Sequence, residues 1–226
     1  MSRPIVDFWF ELASTYSYPA AMRINALAQG AGIAVRWRPF LLGPILAAQG
    51  LTTSPFNVHA AKGDYMWRDV ARICTALGLP FRRPDPFPQA SLLAARIALV
   101  GLEEGWGERF VPAVYRAQFA DGLPIAERTV VADLLHVLDV DPGPVLARAQ
   151  SEEIKGRLRT ETDAAAKLGI LALQASSPPG ASCSGATIAS RRRSTGLRTS
   201  RCGYCLPAPT DAVARHAPAA RPAIAQ

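Results

Sequence analysis

A chain of 226 residues, 49% of them hydrophobic, is long and apolar enough to bury a core as one domain or as a domain with an insertion, which excludes a wholly disordered or fibrous protein. Its formal charge of +7 is unevenly placed: after Ile170 stand seven arginines and one acid, Asp211, whereas the first 170 residues hold 18 basic and 17 acidic groups. A nearly neutral body gives no electrostatic case for nucleic acid. With no signal-peptide pattern in MSRPIVDFWFELAS and no apolar run of roughly 18 residues, the expectation is a soluble cytoplasmic protein without membrane contact.

In chain order, the alternating, aromatic-rich Ile5 to Phe10 predicts a strand ending near Glu11. Helical spacing of Tyr18, Ala21, Ile24, Leu27 and Ala28, closed by Gly30, predicts a helix over Ser17 to Gln29. A second strand is expected at Ile33 to Phe40, parallel to the first through the intervening crossover. From Pro44 onward the pattern is helical, with segments near Ala60 to Leu77, Gln89 to Leu102, Trp106 to Ala120, Glu127 to Leu138 and Gly143 to Leu168. Five successive helices cannot all cover two strands. The economical arrangement is an α/β domain in residues 1–43, an inserted helical subdomain in 44–140, and a return helix in 141–170.

Residues 171–226 are rich in Ala, Pro, Ser, Arg and Gly, contain one aromatic, Tyr204, and show neither helical nor strand period. That is the composition of a disordered basic tail. It leaves the α/β domain without the strands and helix needed to finish it.

Ser14 and Ser17 stand between the first strand and the first helix. Two reactive positions there, as in Cys-x-x-Cys folds, face unpaired backbone N–H groups that favour a thiolate. Hydroxyls cannot exchange disulfides, but they can hydrogen-bond the thiolate of a separate thiol, which points to glutathione. A plain N-cap is the competing role for Ser14. Ser17 is expected within the first helical turn, and Tyr16 would wall a sulfur site or simply pack.

The remaining candidates carry less signal. Trp37, Phe40 and Trp67 suit an aromatic pocket or a core. Cys202-Gly203-Tyr204-Cys205 resembles a redox motif but follows an arginine-rich run and precedes LPAP, without the strand and helix such a motif needs. Cys74 is expected in the core, and neither it nor Cys183, nor His59, His136 or His216, has metal-ligand spacing. No metal is expected.

The stretches VDFWFELASTYSY, WRPFLLGPILAAQG, SPFN, AAKGDYMWRDVARIC and KGRLRTETDAAAKLGI together resemble the 2-hydroxychromene-2-carboxylate isomerase and kappa-class glutathione transferase family. The resemblance implies a DsbA-like thioredoxin fold, α/β with an inserted all-helical subdomain. It also implies glutathione as cofactor, a small aromatic carboxylate as substrate, and Ser14 as the catalytic residue that holds the glutathione sulfur. Tyr16, Asn57 and Lys62 are the accompanying cofactor-binding candidates. Lys62 would attract a carboxylate or stand solvated at a helix start, and Asn57 would bind glutathione or merely make an Asx turn. Thr15 departs from the family's proline, which would pre-organise the first turn.

After L-G-I the family continues close to F-G-A-P-S-F-V, a glycine turn and L-F-W-G-N-D-R-L, whereas Leu171 opens LALQASS. Back-translating LALQASSPPGASCSGATIASRRRSTG and adding one nucleotide within the codon of Leu171 yields FGAPSFVTTGSELFWGNDRLEAALDWG. The tail is therefore read as out of frame, with the cis-proline step and the aspartate that by resemblance face glutathione both lost. The expected function is glutathione-dependent cis-trans isomerisation of an aromatic-degradation intermediate, impaired by the tail. Alternatives are a kappa-type transferase or peroxidase, a DsbA-like oxidoreductase, disfavoured by serine at 14 and 17, and an inactive product. Homodimerisation is left open.

Overall fold

The computed structural model describes residues 3–170 and the backbone of residues 188–190 and 198–200. Strand β1, Ile5–Phe10, lies parallel to β2, Ala34–Pro39, with Ile5 opposite Ala34 and Phe10 opposite Pro39. Period-two alternation sends Phe8 and Phe10 to one face and Trp9 to the other. On the first face they pack edge-on against Trp37, their ring centroids 5.0 and 5.5 Å from the indole. On the second, Trp9 meets Phe40, Ile45, Ala165 and Ile170. Both faces are covered, as a parallel strand pair requires.

The expected helix over Ser17 to Gln29 is two, α1 at Ser17–Ala21 and α2 at Ile24–Gly30. Arg23 leaves the helical region at φ −120°. Its N–H bonds to the Ala20 carbonyl in a tighter turn. After β2 come two short helices that the periodicity did not place, α3 at Leu42–Ala48 and α4 at Pro55–Val58. The long helix α5, Ala60–Ala76, follows. Next are α6, Leu92–Glu104, α7, Gly107–Phe119, and α8, Arg128–Val137.

The expected return helix is also divided, into α9 at Pro142–Arg148 and α10 at Glu152–Lys167. The reason is a new start at Ser151, whose Oγ accepts the Ile154 N–H at 3.3 Å, with Glu152 and Glu153 in the first turn. Helix α6 is the buried axis of the helical layer, with Ala94, Ile97, Ala98 and Val100 fully enclosed. It packs on α7, α9 and α10. Arg38 on β2 holds α10 with a two-pronged bond to Glu161, 2.7 and 2.9 Å, tying the return helix to the sheet.

Composition argued against any strand after Ile170, and here the structure differs. Two three-residue strands, β3 at Ile188–Ser190 and β4 at Arg198–Ser200, extend the sheet antiparallel in the order β2-β1-β3-β4. The edge of β1 away from β2 offers unpaired backbone groups that an extended segment can bond whatever its side chains. The rest of the tail, including Cys183 and Cys202-Gly203-Tyr204-Cys205, lies outside the described residues. Among the described residues no helix is long and apolar enough to cross a membrane.

Candidate active site

Between β1 and α1 the chain makes two tight turns, and the Ser14 N–H bonds to the Glu11 carbonyl at 3.0 Å. Three further ties fix this connection to the helical layer. Thr15 Oγ1 donates to Met66 Sδ at 3.3 Å, Tyr16 Oη donates to Asp69 Oδ2 at 3.1 Å, and Tyr115 Oη donates to the Glu11 carbonyl at 2.8 Å. Burial, then Asp69, raises the pKa of the Tyr16 phenol, so it stays a neutral donor. The position that lacks the family's proline is thus fixed by a side-chain contact to α5 instead.

Within this fixed connection the Ser14 hydroxyl has no hydrogen-bond partner among the described residues, and it faces a cleft of about 690 Å³. The N-cap reading of Ser14 is not what the structure holds. Tyr16 occupies the cap position and makes no side-chain cap bond. Helix α1 is only five residues long, so its macrodipole adds little and the hydroxyl must carry the polar recognition. Ser17 begins α1, as expected, and its side chain is buried.

The cleft is walled by Leu41–Pro44 and Leu46 of the β2–α3 region, by Leu51–Ser54, Phe56 and Asn57 around α4, and by Phe87–Leu92 at the entry to α6. Ser14, Tyr16 and Asn57 come together on it. Asn57 Nδ2 donates to Thr53 Oγ1 at 3.2 Å and to the Phe87 carbonyl at 3.0 Å, so it buckles two walls together. Lys62 is exposed on the first turn of α5 and does not line the cleft. Trp37 and Phe40 belong to the two cores, and Trp67 packs on Phe87 with Arg83 over its ring.

Gly63, one turn into α5, explains how the Asn57 wall is held. A Cβ there would stand 2.4 Å from the Phe56 carbonyl oxygen. Backbone cannot yield as a flexible side chain does. Gly63→Ala is expected to cost about 1–3 kcal/mol in urea unfolding and to move the α4 turn outward. An unchanged unfolding midpoint would contradict that close approach.

Sequence reasoning missed Glu11. Its carboxyl is buried on the cleft wall, where Ser91 Oγ donates a short hydrogen bond to it. Burial is the largest influence and raises its pKa from 4.5 to about 7, against the opposing pull of Ser91 and the Ala13 N–H. Among the described residues no cation offsets the burial. The one local signal was an acid ending a buried aromatic strand. Its partner is 80 residues away, beyond any local pattern. Cys74 is buried, and its thiol is pushed up to about 11, leaving it inert. Among the described residues no group of acids, histidines and cysteines is suited to a metal.

A parallel β-α-β unit covered by a helical insertion, with Ser14 where the strand meets the helix, is the arrangement of a thioredoxin-type domain. The chain belongs to the DSBA-like thioredoxin domain family, whose family model matches residues 5–171. It is 29% identical over 119 residues to 2-hydroxychromene-2-carboxylate isomerase of Pseudomonas putida; the match takes in 48% of this chain and 59% of that protein's length. Among solved structures, a 2-hydroxychromene-2-carboxylate isomerase superposes with a TM-score of 0.64 at 26% identity, over 72% of this chain and 79% of the other. The cytosolic disulfide reductase DsbM of Pseudomonas aeruginosa shares the fold, with a TM-score of 0.58 at 19% identity over 86% and 87%.

Proposed function

We propose that this protein is a glutathione-dependent isomerase of a small aromatic carboxylate resembling 2-hydroxychromene-2-carboxylate. The observation that carries the reading is the Ser14 hydroxyl, without a hydrogen-bond partner among the described residues, on a fixed connection at the edge of a largely apolar cleft. Support comes from the isomerase named at 29% identity and from its structural counterpart at 26%. Ser14 would hold the sulfur of glutathione, which when bound would supply a nucleophilic thiolate for reversible addition chemistry.

The chain's own residues bind and orient. Ser14 Oγ–H donates to the sulfur and favours its ionised form, while Leu41, Leu42, Leu46 and Phe56 exclude water from the reacting carbons. Thr15, Tyr16 and Tyr115 keep Ser14 in place before a ligand arrives. Disulfide exchange would need a thiol at position 14 or 17, and serine stands at both. Asn57 is a positioning residue in this scheme. Lys62, exposed on α5 and away from the cleft lining, has no part in this scheme.

The out-of-frame reading of residues 171–226 belongs to the same proposal. Titration calorimetry with glutathione is expected to give weak or absent binding for the chain as it stands and clear binding once one nucleotide is restored in the codon of Leu171. The restored chain should then interconvert the cis and trans forms of the substrate only when glutathione is present. Equal binding by both chains would contradict the tail reading, and no binding by the restored chain would overturn the glutathione reading.

A further inference from the structure

Ser14 is bonded through its own N–H to the backbone of a residue whose side chain the isomerase scheme leaves idle. That residue is Glu11, which lines the same cleft as Ser14 and is otherwise buried. The groups facing it are neutral at ordinary pH: the Ser91 hydroxyl before α6, the Tyr115 phenol from α7, and Ser17 of α1 beside that phenol. Asp69 on α5 is engaged by Tyr16 and Arg72. A buried carboxylate with no cation against it is costly, and a second anion in the same cleft would raise that cost further.

We propose that Glu11 is the proton acceptor of the cleft: a thiol entering over Ser14 gives its proton to the Glu11 carboxylate, so that thiolate and neutral carboxyl share the site. The step balances, since the S–H bond breaks, an O–H bond forms on Glu11, and the cleft carries one negative charge before and after. Ser91 keeps its bond to the carboxyl in both states, because a hydroxyl can donate to the carboxylate or accept from the acid. The folded carboxyl titrates at about 7, which suits a group that must be ionised before the thiol arrives and protonated afterwards. This inference rests on a thiol being the cleft's ligand, and its test carries a thiol of its own.

Ser14→Cys in the full chain places a thiol at the site without glutathione. Its alkylation by iodoacetamide, followed across pH and resolved peptide by peptide by mass spectrometry, separates it from Cys74 and the cysteines of the tail. With Glu11 present the thiol is expected to become reactive in two steps, because the pair shares its first proton loss and the second is delayed by like charge. With Glu11→Gln added, one step remains and the delayed limb disappears. Ser91→Ala, which keeps Glu11 but removes a bond that lowers its proton affinity, enlarges the first step at the expense of the second. A single step with the same midpoint in all three proteins would overturn the proposal. Failure of glutathione to bind the restored chain would leave this titration unchanged and would count against the isomerase reading alone.

Discussion

Ser14→Ala, made in the chain with its reading frame restored after Ile170, lowers glutathione-dependent turnover by roughly 10- to 100-fold with little effect on folding. A hydrogen bond to a charged partner is worth about 1.5–3 kcal/mol, which converts to that range of rates. The fold is spared because the hydroxyl bonds to nothing among the described residues and caps no helix, so alanine leaves no orphaned group. The five-residue α1 has too weak a dipole to replace the lost donor. Steady-state turnover against pH is the measurement. Losing a donor to the thiolate raises the bound thiol's pKa, so the rising limb of the profile moves up by about one pH unit or more. A variant with unaltered turnover and profile would remove Ser14 from the chemistry.

That prediction rests on a part of the molecule that was readable from residues alone. The strand Ile5–Phe10 ends where the aromatic alternation ends, and β2 falls within Ile33 to Phe40, since buried parallel strands write their burial on both faces into a short run. The divided helices were less readable, for two reasons. Ser151-Glu152-Glu153 is a legible start signal overridden by apolar periodicity running through it, whereas nothing in the residues around Arg23 marks a break. Helices α3 and α4 are too short to show a period. At the site, Ser14 and Tyr16 lie close to the strand that delivers them. Asn57 and Glu11 depend on Phe87 and Ser91, which reach them only through the folded helical layer.

Glu11→Gln tests the part that was not readable, through stability alone. The folded carboxyl titrates at about 7, whereas its ordinary value is 4.5, and burial is the main cause. Below both values the group is protonated whether the chain is folded or not, and burying a neutral acid is the smaller cost. As pH rises above 4.5 the unfolded chain ionises first, so stability falls; above about 7 the folded chain ionises too, and the loss levels off at about 3 kcal/mol. Glutamine has no proton to lose and keeps an oxygen for Ser91. Between about pH 5 and pH 8 the native protein is therefore expected to lose about 2 kcal/mol relative to Glu11→Gln, measured by urea unfolding at each pH. Taking the difference between the two proteins cancels every other titrating group that the substitution does not touch. An offset independent of pH would mean that Glu11 ionises alike in the folded and unfolded chain. In that case the carboxyl would be solvated through the cleft and unable to hold a thiol's proton near neutrality.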